Sequence, residues 1–140
     1  MHKRHHLKIN KNLVLLQQEI FDSIKYENND KFIDCGGLDQ QDLNFEVQLN
    51  CHTSYYPIQL AAVKGSVTMM KSILLNPTVD IHICCSKTGV NSFWLAAFYG
   101  HGEVMSLLAN RGIDIMSKHK KTLNNALHVA CDRKYPQIVQ

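Results

Sequence analysis

The 140-residue sequence lacks the signatures of most chemical functions. It contains no run of about eighteen apolar residues, so it reads as having no membrane span. Its start, Met1-His2-Lys3-Arg4-His5-His6-Leu7-Lys8, is basic but has no apolar stretch behind it, and so shows no secretion signal. The five cysteines, Cys35, Cys51, Cys84, Cys85 and Cys131, are odd in number and no two are spaced C-x-x-C. That excludes a zinc ribbon or a thioredoxin-like redox site, and fits reduced thiols in an intracellular, cytoplasmic setting. There is no phosphate-cradling glycine loop, no H-E-x-x-H and no G-x-S-x-G. Charge is also sparse: the net value is +3, and Lys3, Arg4, Lys8 and Lys11 sit together at the start, leaving the rest close to neutral. A basic groove for nucleic acid is therefore not expected.

What is present is a folded-core composition, 45% hydrophobic, and a repeat. Ala61-Ala62-Val63-Lys64-Gly65 recurs 35 residues later as Ala96-Ala97-Phe98-Tyr99-Gly100, and 34 residues after that as Ala130-Cys131-Asp132-Arg133-Lys134. A second marker, an aspartate before an aliphatic residue, keeps the same step at Asp80-Ile81 and Asp114-Ile115, with Asp42-Leu43 ahead of them. The register extends back over Phe21-Asp22-Ser23-Ile24. It divides the chain into a basic, His-rich tail (1–11), a degenerate capping unit (12–50), two full units (51–85 and 86–119) and a truncated unit (120–140).

The run from Gly89-Val90-Asn91-Ser92-Phe93-Trp94-Leu95-Ala96-Ala97 through Gly100-His101-Gly102-Glu103-Val104 to Gly112-Ile113-Asp114-Ile115 closely resembles the ankyrin family pattern. Pro57-Ile58-Gln59-Leu60-Ala61-Ala62 and Ala126-Leu127-His128-Val129-Ala130 carry the resemblance into the neighbouring units. It implies an all-α solenoid of stacked antiparallel helix pairs with projecting hairpin loops. The motif histidine, which the family uses to tie neighbouring turns together, is retained only as His128; Gln59 and Trp94 stand in the other units. Both full units exceed the usual length of about 33 residues, with additions around Asn76-Pro77-Thr78 and before Ser86 and Lys120.

The paired alanines suit helices that press closely together. Gly65 and Gly100 suit a left-handed turn between helices, and Lys134 suits the equivalent place less well. Val67, Met70, Ile73 and Leu74, and Val104, Leu107 and Leu108, fall at helical steps and read as core. Gly112 and Asn76-Pro77 mark the stops of those second helices. Asp114-Ile115-Met116-Ser117 reads as the arm of a hairpin. Leu13, Leu16, Ile20 and Ile24 give the first helix an apolar stripe. The chain stops at Gln140 inside an expected helix, which reads as a fragment of a longer protein or an end completed by another subunit.

Possible chemistry gives way to structural readings. His82, Cys84 and Cys85 do not supply the four closed ligands of a structural zinc, and no cofactor is expected. Cys131 and His128 are spaced to meet on a helix, but they occupy a buried small-residue place and the motif histidine. His2, His5 and His6 read as part of a solvated tail.

The resemblance places partner contacts on the hairpin tips and the concave face of the first helices. Through the register these are His52, Thr53, Tyr55, Val63 and Lys64 in one unit, and Lys87, Thr88, Val90, Phe98 and Tyr99 in the next. In the last unit they are Lys121, Thr122, Asn124, Asp132 and Arg133. Phe98 and Tyr99 form the expected centre, since exposed aromatics supply much interface energy. Trp94 either joins them or packs between units. Lys64, Lys118, Lys120 and Lys121 would edge the centre with positive charge and favour an acidic protein partner. The expected function is thus a non-catalytic protein-interaction module with no small-molecule substrate. A structural subunit of a large assembly, or the ankyrin portion of a longer enzyme or channel, is the alternative.

Overall fold

The computed structural model describes residues 2–38 and 41–132, with side-chain environments for 13–38 and 41–131. The elements run α1 (His2–Lys25), α2 (Asn29–Asp34), β1 (Val47–Gln48), β2 (Ser54–Tyr55), α3 (Pro57–Lys64), α4 (Val67–Leu75), α5 (Ser92–Phe98), α6 (Gly102–Asn110) and α7 (Ala126–Asp132). β1 and β2 pair antiparallel, Val47 opposite Tyr55 and Gln48 opposite Ser54. Among the described residues these two short strands are the only ones; the fold is all-α, and it is a solenoid. The first helices of successive units pack in the order α1, α3, α5, α7, and the second helices in the order α2, α4, α6. Ala61, Ala96 and Ala130 are fully buried on α3, α5 and α7, in matching seats of adjacent layers. A larger side chain in any of these seats would force the layers apart.

The helices are short because the sequence caps both ends. Pro57 opens α3 after an extended Tyr56, whose N–H donates to Gln59 Oε1 at 3.2 Å. Asn91 Oδ1 accepts from the Trp94 N–H at 3.0 Å to start α5. Asn125 and His128 start α7 reciprocally: the His128 N–H donates to Asn125 Oδ1 at 3.0 Å and the Asn125 N–H to His128 Nδ1 at 3.3 Å. At the other end of α3, Gly65 adopts φ 73°. A Cβ there would also lie 2.3 Å from the His101 imidazole, which reaches across to the Val63 carbonyl at 3.0 Å. Glycine is required twice over, for backbone angle and for room.

These caps revise one expectation. Gln59 and His128 fold back onto the start of their own helices, whereas Trp94 spans the units. Its Nε1–H donates to the Asn124 carbonyl at 3.0 Å, and its side chain is 7% exposed. Of its two readings, packing between units is the one the structure adopts.

The aspartate marker has a single physical cause. Asp42, Asp80 and Asp114 each accept the N–H two residues on, from Asn44 (2.8 Å), His82 (2.9 Å) and Met116 (2.9 Å). This Asx turn bends the chain as it leaves a second helix. Residues 114–117 therefore turn rather than extend as a hairpin arm, and His82 and Cys84 do not lie on a strand. The tips that follow also repeat. Cys85 and Gly89 close one turn (Gly89 N–H to Cys85 carbonyl, 2.7 Å), and His119 and Leu123 close the same turn 34 residues later at 2.8 Å. The left-handed position is glycine in the first (φ 77°) but leucine in the second (φ 61°).

The first unit departs most from expectation. The boundary expected after residue 11 falls within α1. Of the anticipated stripe, Ile20 and Ile24 are fully buried with Phe21, while Leu13 is exposed. α2, whose Asp30, Lys31 and Asp34 masked it, buries Phe32 and is capped by Asn28. Asn76 fastens this unit to the next. Its Nδ2 donates to the Gly37 carbonyl (2.7 Å) and the Gln41 carbonyl (2.9 Å), and its Oδ1 accepts from the Thr78 N–H (2.8 Å). At the opposite end Cys131, expected to be buried, is exposed, because among the described residues no helix packs beyond α7.

Candidate functional site

On the concave side a recess of about 260 Å³ opens between hairpin tips and the first helices. His52, Thr53, Ser54 and Tyr55 from the β1–β2 hairpin form one wall, and Cys85, Lys87 and Thr88 from the next tip form another. Val90 and the α5 residues Trp94 and Leu95 are its buried floor, with Phe98, Tyr99 and His119 closing the remaining side. The surface inside is mainly apolar. Aromatic rings meet along it: Trp94 stacks on Phe98 with centroids 5.3 Å apart, Tyr99 sits edge-on to Phe98 at 5.0 Å, and His119 tilts against Trp94 at 5.6 Å.

The walls are held by hydrogen bonds between successive tips. The Lys120 N–H donates to the Thr88 carbonyl at 2.8 Å, and Lys120 Nζ donates to the Ser86 carbonyl at 2.9 Å. The His119 ring organises its own tip, with Nδ1 accepting from the Lys121 N–H at 3.1 Å. Burial, and then the neighbouring Tyr99, push the Tyr55 phenol well above its ordinary range. Burial also pushes the Cys85 thiol up, but the Thr88 side chain and the Thr88 and Lys87 backbone favour the thiolate and leave it below its ordinary 9.0. The Thr88 hydroxyl is itself buried beside the Cys85 thiol.

Of the contact residues expected from the register, Tyr55, Lys87, Thr88, Val90, Phe98 and Tyr99 all line this recess, as do His52 and Thr53. Val90 lines the recess from its floor, with 1% of its surface exposed. Val63 is half-buried and contributes its carbonyl to His101, and Lys64 is exposed and does not line the recess. Lys121 and Thr122 are exposed on the last tip, while Asn124 is half-buried with its carbonyl bonded to Trp94. The Asp132 side chain and Arg133 lie outside the described residues. Ser54, Cys85, Leu95 and His119 line the recess without having been expected there. The register alone gives a clue to two of them, since Cys85 and His119 begin equivalent tips.

The match to known families decides what this architecture is. The family model for ankyrin repeats, in three copies, matches residues 58–140. The chain belongs to the ankyrin-repeat family. No curated protein matches it at a significant level. Ankyrin repeats are generally protein-interaction modules and typically non-catalytic. Among the described residues no group of three His, Cys, Asp or Glu side chains is placed to hold a metal ion, and no helix is long and apolar enough to cross a membrane.

Proposed function

We propose that this ankyrin stack is a non-catalytic, cytoplasmic module that binds another protein through its hairpin tips and concave face, centred on Phe98 and Tyr99. The observation that carries this reading is the convergence of tip and inner-helix residues from successive repeats on one aromatic recess. Tyr99 is 39% exposed beside a half-buried Phe98, so a partner covering them removes apolar area from water at about 25 cal/mol per Å². Lys87 at the recess and the exposed Lys64 and Lys121 favour a partner with an acidic surface. The test is affinity capture of the cellular partner with wild-type protein and with a Phe98→Ala/Tyr99→Ala variant checked for unchanged helicity. The variant should lose about tenfold or more in affinity; equal capture by both proteins removes this face from consideration.

A second reading, a structural subunit of a larger assembly, rests on exposed Ile115 and Met116 after α6 and exposed Leu123 and Leu127 in the last unit. It expects the purified chain to self-associate through these residues. A monomer by light scattering at micromolar concentration counts against it.

A further inference from the structure

The recess suggests what kind of partner segment it takes. Resting on the interaction reading above, we propose that it is a socket for one bulky apolar side chain, of phenylalanine size, carried on an extended acidic segment of the partner protein. Volume supports the first half. About 260 Å³ lies below the range of roughly 300–1,000 Å³ typical of sites that engulf a drug-sized ligand, and suits a single large side chain. The floor of Val90, Trp94 and Leu95 is buried and apolar, and the rings of Trp94, Phe98 and Tyr99 already contact one another edge-on and face-on. An inserted aromatic side chain would extend that packing.

Charge supports the second half. No carboxylate belongs to the described lining, whereas Lys87 does, and Lys120 Nζ is fixed on the Ser86 carbonyl next to it. Glu46, whose charge reaches Cys85, is already engaged by the Ser54 hydroxyl. A basic or neutral polar segment would leave Lys87 unpaired and the aromatic floor wet.

Trp94 is the only tryptophan in the chain and lines the socket, so its fluorescence reports occupancy directly. The probe is a synthetic nonapeptide without tryptophan, with a central phenylalanine flanked by aspartates. It is titrated beside two controls, one with alanine at the centre and one with lysine flanks. The acidic phenylalanine peptide should shift Trp94 emission saturably. The alanine control should bind about tenfold or more weaker, and the lysine control weaker still, with salt weakening the acidic peptide. Cys85→Phe, which fills the socket, and Lys87→Glu, which reverses its rim, should each abolish the shift. Should Cys85→Phe fail to fold, exposed Lys87→Glu and the peptide controls still decide the matter. No saturable shift, or equal binding of the alanine control, overturns the socket. If the cellular partner is still lost with Phe98→Ala/Tyr99→Ala, the interaction reading survives that failure; if it is retained, both fall.

Discussion

The junction between the first two units and the junctions that follow are built from different materials. In the later ones, motif residues do the joining. His101 reaches the Val63 carbonyl, Trp94 reaches the Asn124 carbonyl, and the tip turns bond to each other through Lys120 and Thr88. At the first junction a buried amide takes over. Asn76, 2% exposed, bonds to Gly37, Gln41 and Thr78, while Asn44 adds a bond from its Nδ2 to the Thr78 carbonyl at 2.6 Å and accepts the Asp80 N–H at 2.8 Å. A repeat that has lost its motif can still dock, provided that side-chain amides satisfy the carbonyls its irregular loop leaves behind.

If that contrast is right, removing the amide should be the most damaging single change. Asn76→Ala strands two carbonyls in a buried junction and should cost about 2–4 kcal/mol. Urea unfolding followed by circular dichroism should show the loss as an early transition, because the first unit would separate while the later units stay stacked. A single transition shifted by less than about 0.5 kcal/mol would mean that the amide hub is incidental. Gly65→Ala attacks the next junction. The left-handed angle costs about 1–2 kcal/mol and the His101 ring must leave its place, so a total of about 2–3 kcal/mol is expected from the same measurement.

The difference between junctions also explains what could be read from the sequence. Repetition made the alanine seats, the helix stops at Gly65 and Asn76-Pro77 and the residues around the recess legible, because a periodic stack imposes one environment on equivalent positions. It could not reveal the amide hub, since Asn76 there looks only like a helix stop before proline. Nor could it reveal α2, where charged residues surround the single buried Phe32. The recess was legible as a set of tip positions, but the burial of Val90 depends on how deeply the chain dips after Gly89. The aspartate marker was visible as a repeat before its cause, the Asx turn, was.

The two equivalent tips offer a gentler comparison. Gly89 and Leu123 hold the same left-handed position, and only the leucine pays for it. Leu123→Gly should therefore stabilise the chain by about 1 kcal/mol, less the entropy that glycine adds to the unfolded state, and should also remove an exposed apolar side chain. A loss of stability in thermal unfolding would show that the leucine makes a contact worth more than its backbone strain.

The smallest expected effect concerns the wall of the recess and is read as a pH dependence. The Tyr55 phenol titrates around 10.0 when the chain is unfolded, while burial and then Tyr99 hold it protonated to higher pH in the fold. Below about pH 10 both states keep the proton and the contribution to stability is fully present. As pH rises further the unfolded chain loses its proton first, so the unfolded state binds fewer protons than the native one and stability falls. Tyr55→Phe removes this titration. The variant and the wild type should give parallel urea midpoints from pH 7 to 9, and above pH 10 the wild type should fall more steeply. Parallel curves through pH 11 would mean that Tyr55 opens to solvent before it ionises, and that this wall of the recess moves more freely than the tip bonded through Thr88 and Lys120.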